Sequence, residues 1–114
     1  MSLKPAIRRQ RATEDLLTAA EHYAEAGGAA LALRFIAAVD TALLHVRQFP
    51  ASGSPRYADL LPEFEVRCWP VKRFPHQILY VDHPDRIDVL RILHGQRDVP
   101  ALLQGEPEPE DVGD

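Results

Sequence analysis

The chain has 114 residues, of which 46% are hydrophobic and 26% are charged, so we expect one soluble globular domain with its own buried core. Its single cysteine, Cys68, excludes an internal disulfide. Because Cys68 lies in an apolar run beside Trp69, a buried structural thiol is favoured over a nucleophile. No apolar segment of signal length follows the basic N-terminus, and no run reaches the roughly 18 to 20 apolar residues of a membrane helix. We therefore expect a cytoplasmic protein without a membrane segment.

The acidic residues are concentrated at the C-terminal end. The net charge is -4, but residues 104–114 hold five acidic side chains and no Lys or Arg. The remaining chain carries 13 basic and 12 acidic side chains. This balance is too weakly basic to bind nucleic acid by charge alone. The sequence thus predicts a folded domain over residues 1–103, an acidic disordered tail over residues 104–114, and no direct sequence-specific DNA binding.

The chain begins with a predicted strand and a predicted helix. Residues 3–9 are compatible with a short edge strand, since Pro5 cannot donate a hydrogen bond to a central ladder. Thr13 can cap a helix whose apolar residues recur at helical spacing. The Gly-Gly pair that ends at Gly28 predicts the end of this helix, because glycine adopts the left-handed C-terminal conformation without strain.

A second helix is predicted over about residues 29–48, where the apolar residues again follow a helical period. Pro50 prevents its continuation, and residues 50–62 form a connector rich in Pro, Gly and Ser. Two helices with so short a link between them are expected to fold back as an antiparallel hairpin.

The C-terminal half predicts strands, because the apolar period changes from helical to alternating. The last strand is apolar on both faces, which indicates a central position. Asp98 can cap a short terminal helix that contains Pro100. The predicted fold is α+β with the order β-α-α-β-β-β, a helical hairpin packed on a small antiparallel sheet. The three predicted strands cover residues 64–69, 76–82 and 87–93.

Cationic side chains in the strand region are candidates for an anionic partner. For Lys72 and Arg73, which lie in a turn, ordinary solvated residues that limit aggregation of sheet edges are the favoured interpretation. Arg91 differs because it interrupts an apolar strand, so it points to solvent, pairs with an acid, or lies in an interface. The set comprises the basic-surface residues Arg67, Lys72 and Arg73, together with Arg91 and Arg97, and has His76 and His94 nearby.

The polar end of the last strand offers a possible chemical site. His94 and Arg97 could serve as an acid–base group and a phosphate clamp. Alternatively, Arg97 pairs with Asp98 or a helix end, and His94 packs against the rim of the sheet. No metal-ligand spacing, phosphate-binding loop or Gly-x-Ser-x-Gly motif occurs, so neither a metal nor a cofactor is expected.

Several short motifs occur together in one order over residues 4–103. Together they resemble ParE-type toxins of the RelE/ParE superfamily, which are bacterial toxin–antitoxin proteins. The motifs are Ala12-Thr13-Glu14-Asp15-Leu16 followed by Tyr23, then Ala32 and Phe35, Phe49-Pro50, Gly53-Ser54-Pro55-Arg56, residues 71–80 ending in Ile78-Leu79-Tyr80, and residues 89–98 with Arg91, His94, Gly95 and Arg97.

This resemblance implies a RelE/ParE fold and a toxin that a ParD-like antitoxin neutralises in a hetero-oligomer. ParE members are associated with inhibition of DNA gyrase, whereas RelE members cut mRNA on the ribosome with Lys/Arg side chains and a terminal Tyr or His. No Tyr follows Tyr80, and the basic set is sparse, which favours a non-enzymatic gyrase inhibitor. Its expected target contacts are Arg91, His94, Arg97, Leu102 and Leu103. The alternative is a ribosome-dependent mRNA endonuclease that uses His94, Arg91, Arg97 and Lys72.

Overall fold

The computed structural model describes residues 3–60, 64–95 and 99–104. It has an α+β fold with a long N-terminal helical element and a mixed sheet of four strands over these residues. The elements are β1 (Ala6–Arg8), α1 (Gln10–Gln48), two 3-10 turns (Pro50–Ser52 and Ala58–Leu60), β2 (Arg67–Pro70), β3 (His76–Asp82), β4 (Ile87–His94) and α2 (Val99–Gln104).

The strands lie in the order β1-β4-β3-β2. As predicted, β1 is an edge strand and β4 is central. The pairs β2–β3 and β3–β4 are antiparallel, but β1 runs parallel to β4, with Ala6 opposite Ile87. The prediction of a wholly antiparallel sheet is therefore wrong at this pair. A parallel pair needs a crossover connection, which α1 and the two intervening strands supply, and a three-residue strand carries no sequence pattern that specifies its direction.

The helical region is one element that is interrupted at a single residue. Gly28 has φ 83° and ψ 177° and is the only non-helical residue inside Gln10–Gln48, a conformation that glycine adopts readily. A straight helix of this length would extend about 58 Å, whereas the longest dimension of the molecule is 43 Å. The rings of Tyr23 and Phe35 lie only 5.0 Å apart. The chain therefore bends sharply at Gly28, where the sequence predicted the end of the first helix.

The start of α1 differs from the prediction. Arg9 occupies the N-cap position without a side-chain capping bond, so Thr13 lies inside the helix and is not its cap. The Arg9 side chain donates two hydrogen bonds of 3.1 Å to the Asp88 carboxylate on β4. The helix begins directly after β1 because this ion pair fixes the junction between strand and helix to the centre of the sheet.

Each face of the sheet has its own core cluster. α1 covers one face through buried residues that include Phe35, Val39 and Val46. α2 contributes Val99 and Leu103 to the other face. This double cover explains why six of the eight residues of β4 are buried. The second cluster also contains Val66, Cys68, Leu79, Val81, Leu90 and Leu93.

Cys68 is confirmed as a buried structural residue, and Tyr80 also lies in the core. Cys68 is buried, and this burial raises the pKa of its thiol, which opposes formation of a nucleophilic thiolate. Tyr80 is fully buried. Its hydroxyl donates to the Pro50 carbonyl at 2.7 Å and accepts from the Gly53 amide at 3.1 Å. A Cβ at Gly53 would collide with that hydroxyl, so glycine lets the connector approach the sheet closely.

By length and composition, α1 is apolar enough to cross a membrane, with mean hydropathy 1.7 over its most apolar 18 residues. Only 28% of that window is buried. The buried part packs on the sheet through Phe35 and Val39. The exposed side of α1 includes the large apolar side chains of Leu33 and Leu44, which are 65% and 44% exposed.

Candidate functional site

A groove lies between the second half of α1 and the end of β2. Its volume is about 510 Å³, within the range of sites that bind small ligands or anchor side chains. We call it the Trp69 groove. It is lined by Ala38, Thr41, Ala42, His45, Trp69, Pro70, Lys72 and Arg73.

The wall of the Trp69 groove is a pair of stacked rings. His45 and Trp69 lie with their ring centroids 4.0 Å apart at an interplanar angle of 13°. The His45 Nε2 atom lies 3.1 Å from the Ser52 hydroxyl oxygen, so the imidazole is held on a second side. The stack supplies a preformed flat surface of the kind that buries an apolar or aromatic anchor.

The rim of the same groove carries two exposed cations, Lys72 and Arg73. They lie in the turn between β2 and β3, where Arg73 has a φ of 72°. This left-handed conformation is uncommon outside glycine. No ion pair with another residue of the described segments neutralises either cation. The predicted basic surface is thus present at these two positions, beside the stacked rings of His45 and Trp69.

Arg67, the third predicted basic-surface residue, has a different environment. Its guanidinium donates to the carbonyl oxygens of Ala51 and Gly53 at 3.1 and 2.9 Å. These bonds hold the connector against β2. In this structure Arg67 is therefore committed to the fold and adds little to the basic rim.

A second cavity, which we call the histidine pocket, lies between the first half of α1 and the ends of β3 and β4. Its volume is about 530 Å³. The imidazoles of His76 and His94 lie 5.3 Å apart, and Tyr23 lies between His22 and His76, at 5.4 and 5.9 Å from their centroids. The pocket is lined by Glu14, Asp15, Thr18, Ala19, His22, Tyr23, His76, Ile92, Leu93 and His94.

Burial controls the protonation of His76. Burial, and to a lesser extent the neighbouring His94 and His22, lower the pKa of His76 to about 4, while Asp15 opposes the shift. His76 is therefore neutral at physiological pH. Among the residues with assigned structure, no group of three His, Cys, Asp or Glu side chains has the arrangement of a metal site.

Arg91 pairs with an acid, one of the three environments considered from the sequence. It donates to both carboxylate oxygens of Asp15, from Nε at 2.8 Å and from a terminal nitrogen at 2.9 Å. Asp15 also accepts the Ile92 amide at 3.0 Å. The Arg91 and Asp15 side chains are only 12% and 15% exposed. The pair therefore ties α1 to β4, and a target contact by Arg91 stays a prediction.

The other expected target contacts have varied environments. His94 is half-buried in the histidine pocket, and Leu102 is half-buried in α2. Leu103 is fully buried in the second core cluster, so in this conformation it is not available to a target. Arg97, with its possible partner Asp98, lies outside the described residues.

Sequence reasoning missed the histidine pocket because its side chains come from distant parts of the chain. His22 belongs to α1, whereas His76 and His94 begin β3 and end β4 and are paired across these strands. The only sequence signal was the placement of two histidines at opposite ends of adjacent predicted strands. Antiparallel pairing brings such ends together, but the contribution of His22 depends on how α1 packs.

Comparisons with known proteins agree with this fold. The sequence matches the family model described as the ParE toxin of the type II toxin–antitoxin system parDE over residues 7–99. The fold is similar to a solved structure of the chromosomal ParDE toxin–antitoxin system from P. aeruginosa, with a TM-score of 0.68 and 22% identity over 81% of this chain and 96% of that chain. No curated protein matches the sequence. Because the family model covers most of the chain, including the helical element and nearly the whole sheet, the chain belongs to the ParE toxin family of type II toxin–antitoxin systems.

Proposed function

We propose that this toxin inhibits DNA gyrase, and that a ParD-like antitoxin neutralises it by binding in the Trp69 groove. One combination supports the antitoxin site: the stacked rings of His45 and Trp69 lie beside two cations, Lys72 and Arg73. Neither cation has an acidic partner in the described segments. The expectation of gyrase as the target comes from the family, and the engagement of Arg91 by Asp15 supports a binding toxin over a nuclease.

The chemistry of the groove favours an acidic, amphipathic antitoxin segment. Such a segment would bury apolar side chains against His45 and Trp69 while its carboxylates pair with the rim. The neighbouring surface extends the apolar area, since Leu44 and Phe49 are 44% and 58% exposed. We infer that the sharp bend at Gly28 makes the two halves of α1 an antiparallel hairpin, whose outer face continues this docking surface.

Charge reversal tests the antitoxin site. The double variant Lys72→Glu/Arg73→Glu should bind the protein encoded by the adjacent reading frame about 10- to 100-fold more weakly in isothermal titration calorimetry, with a smaller dependence on salt. Arg8→Glu is the matched control, because Arg8 is exposed on β1 at the opposite edge of the sheet. Equal affinities for the double variant and the control would rule out the groove as the antitoxin site.

A supercoiling assay with the purified toxin tests the target. We expect loss of supercoiling or a trapped cleavage complex at concentrations that stop growth. Substitution His94→Ala should reduce this effect if the end of β4 contacts gyrase, whereas Arg8→Ala should not. Undiminished gyrase activity without a trapped complex would remove gyrase as the target.

One observation favours a second candidate, a ribosome-dependent mRNA endonuclease. His94 lies beside the neutral His76, and two histidines can supply an acid and a base. The charges oppose this function, because Glu14 and Asp15 line the same pocket and Arg91 is bound to Asp15. Primer extension after induction distinguishes the two. Codon-dependent cuts that vanish in His94→Ala would establish the nuclease.

A further inference from the structure

The segment that follows α2 differs in charge from the rest of the chain. Residues 105–114 hold five acidic side chains, two prolines and no Lys or Arg. They lie outside the described residues and beyond residue 99, where the match to the ParE toxin family model ends. We call them the acidic tail. The tail is thus a feature of this chain that the family model does not include, and a basic surface within its reach would attract it.

The acidic tail starts near the edge of the sheet that carries the Trp69 groove. α2 ends at Gln104 and packs against the turn Ala58–Leu60. The connector that contains this turn pairs with the edge strand β2 between Ser54 and Cys68. The ten residues 105–114 span about 31 Å in the extended form that proline-rich segments favour. This length exceeds the shortest dimension of the molecule, 23 Å, so the tail can pass round β2 from the face covered by α2 to the face covered by α1.

Exposed cations flank this route. Arg56 is exposed on the connector, with its guanidinium carbon 5.1 Å from the centre of the Tyr57 ring, and Tyr57 packs against the same core cluster as α2. Lys72 and Arg73 are exposed at the rim of the Trp69 groove, and none of the ion pairs formed by the described residues includes them. No residue that lines the groove is acidic. The charge of the groove is therefore complementary to that of the tail.

The wall of the groove suits proline. The stacked rings of His45 and Trp69, together with Pro70, give the groove a mostly apolar lining. Aromatic-lined grooves bind proline-rich segments, because such segments are already extended and lose little entropy on binding. In the tail a proline alternates with each glutamate, in the order Glu106-Pro107-Glu108-Pro109-Glu110. This alternation of apolar ring and carboxylate matches an aromatic wall beside a cationic rim.

We propose that the acidic tail folds back over β2 and occupies the Trp69 groove of its own chain in the free toxin. The prolines pack against Trp69, and the glutamates lie beside Lys72 and Arg73. Because exposed ion pairs are individually weak, the contact is reversible, and a partner that binds the groove displaces the tail. The tail contact does not depend on the identity of that partner, whereas competition with the antitoxin rests on the proposed antitoxin site.

The NMR signal of the Trp69 indole N–H tests the contact in the full chain, which has a single tryptophan. In the unmodified chain this signal should move as salt is raised to about 0.5 M, because salt screens exposed charges and releases the tail. The tail variant Glu106→Lys/Glu108→Lys should show the released position already at low salt. The matched control Glu21→Lys/Glu25→Lys, with the same change of charge at two exposed positions of α1, should behave like the unmodified chain.

A charge exchange distinguishes a direct contact from a general effect of charge. Lys72→Glu/Arg73→Glu should release the tail as the tail variant does. The combination of both double substitutions should restore the salt-dependent signal, because opposite charges then face each other again. If the tail variant keeps the low-salt signal of the unmodified chain, or if the combined variant does not regain the salt dependence, the tail does not occupy the groove.

Calorimetry with the protein encoded by the adjacent reading frame separates the tail contact from the proposed antitoxin site. A groove that the tail leaves free for about a fifth of the time binds a partner about five-fold more weakly. The tail variant should therefore bind that protein about five-fold more tightly than Glu21→Lys/Glu25→Lys does. Equal affinities together with a tail-dependent indole signal would reject the groove as the antitoxin site and leave the tail contact standing. An indole signal that does not respond to the tail substitutions would overturn the proposal whatever the affinities are.

Discussion

Replacement of Arg91 by methionine should unfold the protein at a markedly lower temperature. Methionine keeps an apolar stem of similar length but removes the charge and both hydrogen bonds to Asp15. The Asp15 carboxylate, only 15% exposed, would then retain a single bond from the Ile92 amide. The cost is dominated by the half-satisfied carboxylate that remains, because burying a charge without its partner is expensive.

The magnitude follows from the degree of burial. Exposed ion pairs contribute about 0 to 1 kcal/mol, whereas loss of one partner of a buried pair costs about 3 to 5 kcal/mol. With side chains 12% and 15% exposed, the Arg91–Asp15 pair lies close to the buried limit. We expect Arg91→Met to cost about 3 kcal/mol, which corresponds to a fall in melting temperature of roughly 10 to 15 °C for a domain of this size.

A double-mutant cycle isolates the interaction. Arg91→Met, Asp15→Asn and the double variant are unfolded in urea and followed by Trp69 fluorescence, with Arg8→Met as the exposed control. The double variant should lose about 2 kcal/mol less free energy of unfolding than the two single variants lose together, because it removes both charges at once. A coupling within about 0.5 kcal/mol of zero, or an Arg91→Met variant as stable as Arg8→Met, would refute the assignment of this pair to the fold.

Three further predictions concern the core and its pH dependence. Phe35→Ala should lower the free energy of unfolding by about 3 to 5 kcal/mol in urea denaturation, because the ring is fully buried between α1 and the sheet. Tyr80→Phe should cost about 1 to 3 kcal/mol in the same assay, because it leaves the Gly53 amide and the Pro50 carbonyl without their partner. His76 has a pKa of about 4 in the fold and 6.5 in the unfolded chain, so stability is complete above pH 6.5 and falls as the pH drops towards 4. The loss is at most about 3 kcal/mol, reduced by the remaining exposure of the ring, and it should shrink in His76→Gln. Unchanged pH slopes in that variant would contradict the linkage.

Local patterns in the sequence were sufficient for much of the fold. The alternating apolar residues around Ile78 predicted that the C-terminal half forms strands. The stretch around Leu90, apolar on both faces, predicted that β4 is a central strand of the sheet. The burial of Cys68 followed from its apolar neighbours. These features depend on contacts within one element or between adjacent strands, which a period of two or 3.6 residues encodes.

The incorrect predictions involve choices that local patterns do not determine. Thr13 is a good capping residue, but the Arg9–Asp88 ion pair fixes the strand-to-helix junction further upstream. The break at Gly28, by contrast, was predicted correctly, and only the packing of the two halves of α1 against each other is not encoded locally. The parallel direction of β1 is set by its hydrogen bonds to β4, such as the Ile87 amide to the Pro5 carbonyl.

The candidate sites were predictable only where their residues are neighbours in sequence. Lys72 and Arg73 adjoin Trp69 in the chain, so a basic turn beside an apolar strand could be recognised. The groove itself also requires His45, which stacks on Trp69 from α1. The sequence could not show whether Arg91 points to solvent, pairs with an acid or lies in an interface, because its partner Asp15 is 76 residues away.

These environments determine how a mutational map of toxicity has to be interpreted. Substitution of Arg91 or Leu103 removes a contact that holds α1 or α2 to the sheet, so a loss of toxicity can follow from unfolding alone. Lys72 and Arg73 are exposed, and no described ion pair depends on them, so their substitution reports on a partner. Toxicity therefore has to be expressed per folded molecule at each position. A contact role for Arg91 would require a variant that keeps the melting temperature and still loses activity. The Arg91→Met/Asp15→Asn pair comes nearer to that condition than Arg91→Met alone, because it removes the buried charge together with its partner.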